Sequence, residues 1–209
     1  MSRLMCNILR MDIENIKPLM VFAFVMSVTP GPNNLMLMAS GANFGLLRTV
    51  PHMLGVGFGF VFMAVLLGMG LMQVFDVFPE MLTVFKVLAA VYMAYLAYKI
   101  ATARPPKEQA AKGHPMRFYQ AVLFQWVNPK AIGMAISAMS LYAADQTLAS
   151  VLLVGLIFGC VNLPSVSLWA IMGVQMQKVL TNPSRMRVFN GIMAFLLLLS
   201  VIPVLRANL

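Results

Sequence analysis

The chain has 209 residues, of which 61% are hydrophobic and only 10% are charged. A water-soluble globular domain is about half apolar and about a quarter charged, so this composition excludes that class and indicates a membrane protein. The formal net charge is +9, but the basic residues lie mostly in short loops, where they report membrane orientation and not a nucleic-acid partner. Cys6 and Cys160 are far apart and form no CxxC pair, so redox chemistry is not expected.

Six long apolar runs predict six transmembrane helices, since about 20 apolar residues make one crossing. Residues 1–18 are expected to form an N-terminal tail, and residues 19–205 a single bundle. The polar stretch 101–117 divides this bundle into a first repeat, about 19–100, and a second, about 118–205. The first run has no small-residue cleavage site, so we expect it to be retained and not removed as a signal peptide. The six predicted spans are 19–39, 49–73, 79–100, 118–142, 148–173 and 188–205.

Basic residues are divided unevenly between the two sides of the predicted bundle. One side carries nine of them, namely Arg48, Lys99, Arg104, Lys107, Lys112, Arg117, Lys178, Arg185 and Arg187. The other side carries four, namely Arg3, Arg10, Lys17 and Arg206. Because basic loops stay on the cytoplasmic side, this count predicts a cytoplasmic 101–117 loop and both termini outside, periplasmic or extracellular.

Two of the predicted spans carry the same kind of interruption at the same depth. Pro30 is the twelfth residue of the first span, in the run TPGPNN, and Pro129 is the twelfth of the fourth, in the run QWVNPK. GxxxG pairs in the second and fifth spans also correspond, with Gly55 and Gly59 in one, Gly155 and Gly159 in the other. A duplicated unit of three spans, an odd number, must be inserted upside down. We therefore predict an all-α membrane protein of six transmembrane helices in two inverted three-helix repeats, with helices 1 and 4 broken.

The two interruptions indicate a binding site because of what proline does to a helix in lipid. Proline removes a backbone donor and frees polar groups, and an unsatisfied group in the bilayer core costs several kcal/mol. Each break also starts a half-helix whose positive end points to the bundle centre, which suits an anion such as a carboxylate. The ordinary alternative is a proline kink satisfied by neighbouring side chains.

Lys130 lies beside the second interruption and adds a positive charge near the predicted membrane centre. A lysine there costs about 2.5–3.5 kcal/mol on insertion scales, so its ammonium must face a cavity or a partner. The alternative is that the fourth span begins later and Lys130 is an interfacial anchor. A third run, 162–164 (NLP), either breaks the fifth span and lines the same cavity or is a plain kink.

The remaining chemistry-bearing residues are few. His52, near the inner end of the second span, is either a proton-coupling group or a headgroup-level histidine without a role. An inward position is open for Tyr92 and Tyr95, whereas Tyr98 is expected in the interfacial aromatic belt. Twenty scattered methionines favour packing over metal handling. No metal site or cofactor is expected, and the absence of catalytic motifs indicates that the chain is not an enzyme.

Three segments together resemble the LysE/RhtB family of amino-acid exporters: VTPGPNNLMLMASGANFG, YMAYLAYKIATA and FQWVNPKA. The resemblance covers about residues 11–205. It implies a multi-pass exporter of the bacterial inner membrane that removes amino acids or their derivatives by antiport driven by the proton gradient. Substrates across the family include lysine and arginine, homoserine and threonine, leucine, and cysteine or O-acetylserine. The spans lack an evident buried acid to pair with a cationic side chain, which favours a small or neutral substrate.

Resemblance and residue chemistry meet at the two interruptions, where the Asn side chains and half-helix ends are expected to hold the substrate carboxylate. Lys130 would be the counter-charge or, with His52, a proton-coupling group. The predicted substrate-binding residues are Asn33, Asn34, Gln125, Asn128, Lys130 and Asn162. The predicted break or hinge residues are Thr29, Pro30, Gly31, Pro32, Pro129 and Pro164. Gly55, Gly59, Gly155 and Gly159 are expected to let helices pack closely while one half rocks against the other.

Other functions stay open at this point. A metal-cation or other small-ion exporter is one alternative, and a non-transport membrane scaffold is another. The expected partners are the amino-acid substrate and the lipid bilayer, with no nucleic acid, and a homodimer through a glycine-bearing face is an option.

Overall fold

The computed structural model describes residues 3–71, 73, 80–103, 114–143, 145–180, 182–200 and 202. Within these ranges the regular structure is entirely helical, which confirms the all-α prediction. The α-helices are α1 (Arg3–Val28), α2 (Pro32–Phe44), α3 (Leu46–Leu66), α4 (Glu80–Ala101), α5 (Phe118–Phe124), α6 (Pro129–Tyr142), α7 (Leu148–Gln177) and α8 (Pro183–Leu199). A π-helical turn, Leu67–Leu71, follows α3, and a 3-10 turn, Gln125–Val127, joins α5 to α6. Residues 104–113 of the predicted central loop lie outside the described ranges.

Local sequence chemistry explains several helix boundaries. Pro32 and Pro129 occupy the first positions of α2 and α6, where the missing N–H is not needed. Asn182 caps α8, and its side-chain oxygen accepts a 2.8 Å hydrogen bond from the Ser184 amide. Gly45, with φ 80°, makes the corner between α2 and α3, a left-handed conformation that a side chain would strain.

Helix α1 begins much earlier than the first predicted span. The sequence places residues 1–18 in a tail, but α1 starts at Arg3 and continues through Pro18 to Val28. The segment before Pro18 contains no glycine or proline, so nothing in it ends a helix. Much of the expected tail is therefore an extension of the first helix.

The two halves of the chain interleave. Helix α7, from the second half, packs against α1, α2 and α3 of the first. Helix α8 packs mainly on α4, and α5 lies along α3. Helices of each half therefore pack between helices of the other, and rocking of one half against the other stays a prediction.

The predicted packing glycines lie at these contacts between halves. A methyl group at Gly59 would fall 2.7 Å from Cα of Val122, so α5 approaches the backbone of α3 there. A methyl group at Gly55 would overlap the Phe118 carbonyl. Gly155 and Gly159 instead face the side chains of Val65 and Val61 on α3.

A second pair of glycines brings α2 and α7 together backbone to backbone. A methyl group at Gly41 would overlap the Ala170 carbonyl, and one at Gly173 would overlap the Met38 carbonyl. Each helix thus supplies the glycine that its partner's main chain requires. Gly41 forms a GxxxG pair with Gly45, whereas Gly173 belongs to no such pair, and neither was among the predicted packing glycines.

The outer surface of the described bundle is unusually apolar, and several polar side chains lie among the apolar residues of its core. Large apolar side chains lie on the outer surface, with Val21, Phe58 and Leu123 each more than 60% exposed. The buried polar residues are Ser27, Asn34, Ser40, Asn43, Thr49, His52, Gln125, Asn128, Ser150, Asn162, Ser165 and Asn190. Helical segments Leu46–Leu71 and Leu148–Gln177 are long and apolar enough to cross a membrane. An apolar exterior around hydrogen-bonded amides suits lipid as the solvent.

Candidate functional site

The first interruption lies between α1, which ends at Val28, and α2, which begins at Pro32. Side chains from elsewhere in the fold satisfy the carbonyl groups that the break frees. The Asn34 amide donates to the Ser27 and Thr29 carbonyls, at 2.8 and 2.7 Å. The Trp169 indole, on α7, donates to the Val28 carbonyl at 3.1 Å. The carbonyl groups at the carboxyl end of α1 are therefore satisfied by side-chain donors, in place of the backbone N–H groups that a continuing helix would supply.

Lys130 provides the strongest of these donors. Its ammonium donates to the Thr29 carbonyl at 2.6 Å, to the Thr29 hydroxyl at 2.8 Å and to the Pro30 carbonyl at 3.3 Å. A cation at the carboxyl end of a helix also interacts favourably with the helix dipole. Gly31 makes room for this arrangement, because a methyl group there would fall 2.6 Å from Cδ of Lys130.

At the second interruption, backbone carbonyl groups accept hydrogen bonds from residues close to them in the sequence. After α5 ends at Phe124, a 3-10 turn leads to Asn128. The backbone N–H of Asn128 donates to the Gln125 backbone carbonyl at 3.3 Å. The Gln125 side chain donates back to the Ala121 carbonyl at 2.8 Å. Asn128 precedes α6 but its side chain makes no capping hydrogen bond, and its buried Oδ1 has no partner.

Amide side chains join the two interruptions. The Asn33 amide donates to Oε1 of Gln125 at 2.8 Å, and Gln125 donates to Oδ1 of Asn33 at 3.3 Å. Asn162, on α7, donates to the Ser27 hydroxyl at 2.9 Å, while its own Oδ1 is buried without a partner. Both breaks and the middle of α7 therefore meet in one polar region inside the bundle.

This region surrounds a cavity of about 20 Å³, which we call the break cavity. Its polar lining consists of Ser27, Asn33, Asn34, Asn128, Lys130 and Asn162. Such a volume has room for one water-sized group and is far too small for an amino acid. The arrangement described here is therefore a closed form of any substrate site at this place.

A much larger cavity, of about 580 Å³, lies farther along α2. We call it the vestibule. It is formed by α2, α3, α4 and the segment around the start of α5, and its lining includes Ser40, Asn43, His52, Tyr92, Lys99 and His114. His52 is only 1% exposed and neither ring nitrogen has a hydrogen-bond partner. His52 is therefore buried inside the bundle, and its depth in the membrane stays a prediction.

Comparison with protein families decides the class of the chain. The model of the family described as LysE type translocator matches residues 24–206. The chain belongs to the LysE type translocator family. The resemblance inferred from the TPGPNN and NPK runs is confirmed, and the family makes this chain a membrane transport protein.

Three relatives of this translocator share the same name. A cysteine/O-acetylserine efflux protein of Escherichia coli O139:H28 is 26% identical over 179 residues, which covers 85% of this chain and 90% of that protein. Proteins of the same name from Escherichia coli K12 and Shigella flexneri are each 28% identical over 134 residues, covering 64% of this chain and 68% of theirs. No solved structure matches the chain.

Most predicted site residues of the translocator lie together in the fold. One predicted break residue, Pro164, lies inside a continuous helix. The residues proposed for substrate binding line the break cavity, except Gln125, which holds Asn33 beside it. Helix α7 continues through Pro164, so the expected break is absent. The Ser165 and Ser167 hydroxyls donate to the Val161 and Leu163 carbonyls around this proline. Within the described ranges, no three His, Cys, Asp or Glu side chains are placed to hold a metal ion.

The sequence analysis missed several polar partners. Ser27 and Trp169 support the first break, and Asn43 forms a reciprocal amide pair with Asn190 at 2.8 and 3.2 Å. Each of these side chains lies within or beside an apolar run of the sequence. Their presence there was an available signal, because polar groups inside membrane spans usually face the bundle interior. Their pairing depends on the fold and has no signature in the sequence.

Proposed function

We propose that this translocator exports a small amino acid or amino-acid derivative across the bacterial inner membrane, with cysteine and O-acetylserine as the first candidates. Family membership supports the transport function, and the names of the relatives support this substrate class. The observation that carries the site is the contact of Lys130, from one half of the chain, with Thr29 at the break in the other half. A substrate that binds Lys130 would release the carboxyl end of α1.

The free hydrogen-bonding groups suggest how an amino acid would be oriented. The amide nitrogens of Asn33, Asn34 and Asn162 already donate to protein acceptors. The fully buried atoms of this region that lack a partner are both oxygens, Oδ1 of Asn128 and Oδ1 of Asn162. An ammonium group supplies the donors that they lack. We therefore place the substrate ammonium at these two oxygens and its carboxylate at Lys130, which refines the expectation that the Asn side chains hold the carboxylate.

The arrangement in the membrane is part of the same proposal. Six spans in two inverted repeats would be formed by α1 with α2, α3, α4, α5 with α6, α7 and α8. The vestibule, bordered by Lys99 and His114, would open to the cytoplasm, and both termini would lie outside. The closed break cavity and the open vestibule then correspond to a form that faces the cytoplasm. Proton antiport remains proposed, with Lys130 and His52 as the candidate groups.

Export from proteoliposomes preloaded with O-acetyl-L-serine or L-cysteine tests the proposal. We expect Lys130→Met to reduce export to background, because the substrate carboxylate loses its counter-charge. Lys130→Arg should retain a measurable rate. Lys178→Met, which removes an exposed lysine just after α7, is the matched control and should export normally.

Reconstituted protein is quantified for each variant, so that lost activity is separated from lost folding. Normal export by well-folded Lys130→Met would remove the lysine from the mechanism. Failure of the unmodified protein to export any amino acid would overturn the function itself.

A further inference from the structure

We infer that the vestibule is a second amino-acid-binding site, which receives the substrate before the break cavity opens. This inference rests on the proposed export function and adds a site that the sequence analysis did not contain. The vestibule measures about 580 Å³, within the range of about 300–1,000 Å³ that is usual for small-molecule sites. An amino acid therefore fits the vestibule in the same form in which the break cavity excludes it.

The charges around the vestibule favour a ligand that carries a carboxylate. Lys99 and His114 line it, and none of the lining residues that the structure describes is acidic. The Lys99 ammonium lies 5.6 Å from the centre of the Tyr95 ring, so an aromatic surface holds the charge at the wall. Tyr92, 6.1 Å from Tyr95 between ring centres, continues this surface into the cavity.

His52 supplies an independent indication of a ligand. A neutral imidazole has one donor and one acceptor, and burial without partners costs about 1–3 kcal/mol for each group. Both ring nitrogens of His52 are in this position, and the residue lies at the wall of the vestibule with the nitrogens buried behind the cavity surface, so a ligand would reach them only after part of the wall moves. The head group of an amino acid offers the complementary pair, a carboxylate that accepts and an ammonium that donates. Neighbouring Ser40 and Thr49 do not meet this need, since their hydroxyls bond to each other at 2.9 Å.

Helix α2 connects the vestibule to the break cavity. Gly31, Asn33 and Asn34 line the break cavity, and Met36 begins the row that lines the vestibule. Met36 is two residues beyond Asn34, about 3 Å of helical rise. Asn33, on the same helix and in the lining of the break cavity, forms the reciprocal amide pair with Gln125. Opening that pair would let a substrate held in the vestibule move to Lys130.

A cysteine-protection experiment tests the vestibule directly. In purified, solubilised protein with Cys6→Ser and Cys160→Ser, the variant Thr102→Cys places a thiol in the vestibule lining. O-acetyl-L-serine should slow its labelling by a polar maleimide several-fold, and the carboxamide of the same compound should not. Gln146→Cys, on an exposed loop remote from the vestibule lining, is the control and should label at an unchanged rate.

Two further variants assign the protection to this site. Lys99→Gln should weaken it roughly two- to fivefold, as expected for one exposed charge contact, and His52→Leu should weaken it further if the protein folds. Lys130→Met should keep the protection. Loss of protection in Lys130→Met, or its absence in the unmodified background, would overturn the vestibule site. Export is measured separately and bears on the proposed function alone.

Discussion

The two helix breaks are alike in sequence but are stabilised in different ways. At the first break, carbonyl groups of residues 27–30 accept hydrogen bonds from Asn34, Trp169 and Lys130, side chains that come from α2, α7 and α6. At the second break, the Asn128 amide and the Gln125 side chain bond to carbonyls only a few residues away. The first break therefore relies mainly on donors from other helices. The carbonyl groups at the second break are met within its own turn, although Gln125 also pairs with Asn33.

Because of this difference, we expect the first break to change its conformation during transport and the second break to keep its own. Lys130 holds the first break through an ion-to-carbonyl contact for which a substrate carboxylate can compete. The turn at Gln125–Val127 has no such competitor, and it presents the unpaired Oδ1 of Asn128 to the cavity. We expect substitutions at the first break to change stability and transport together, and those at Asn128 to change transport alone.

Asn34→Ala should have the largest effect on stability. It removes a donor to the Ser27 and Thr29 carbonyls. The Thr29 carbonyl keeps its bond from Lys130, but a buried Ser27 carbonyl left unpaired costs about 1–3 kcal/mol. The melting temperature in detergent should fall clearly and export should be lost. Asn33→Ala, next in the chain, removes a bond to Gln125 instead and serves as the comparison. Equal melting temperatures for Asn34→Ala and the unmodified protein would show that the first break needs no external donor.

Gly31→Ala should have the next largest effect, on transport more than on stability. The new methyl group would displace the Lys130 side chain, which costs about 1–3 kcal/mol where the surroundings cannot adjust. Because Lys130 is flexible, we expect the lower end of this range together with a strong loss of export. The control is Gly133→Ala, since the space around that glycine in α6 is open. Retained export in Gly31→Ala would mean that the position of Lys130 is not critical.

Asn128→Ala should have the smallest effect on stability. Its side chain makes no capping bond and its Oδ1 is buried without a partner, so removing the oxygen also removes an unfavourable burial. The melting temperature should stay the same or rise slightly. Substrate affinity should fall, seen as a higher KM for export with little change in the amount of folded protein. A large loss of stability would contradict the view that the second break is stable without the Asn128 side chain.

The sequence could predict the parts of this site that depend on local chemistry. Pro32 and Pro129 start helices wherever they occur in such contexts, so both helix ends could be placed from residue type alone. Lys130 could be recognised as needing a partner, but not that the partner is Thr29, because that contact joins residues 101 positions apart. Pro164 does not break its helix, so a proline within an apolar run does not by itself tell a break from a helix that continues.

The vestibule could not be predicted, because it is a shape formed by several helices and has no motif. Its lining draws single residues from segments as far apart as Met36 and Gln120. For the same reason His52 was placed near the headgroups, since its sequence position suggests the end of a span and only the packing around α3 shows its burial.

The glycine contact between α2 and α7 limits which parts of the molecule can move. Because the main chains touch at Gly41 and Gly173, we expect the two helices to move as one unit during a transport cycle. The joints that free this unit would then be the corner at Gly45 and the gap between α1 and α2. Such a division would cut through the first half of the chain, and a cross-link between α2 and α7 should leave transport intact where one between α1 and α2 abolishes it.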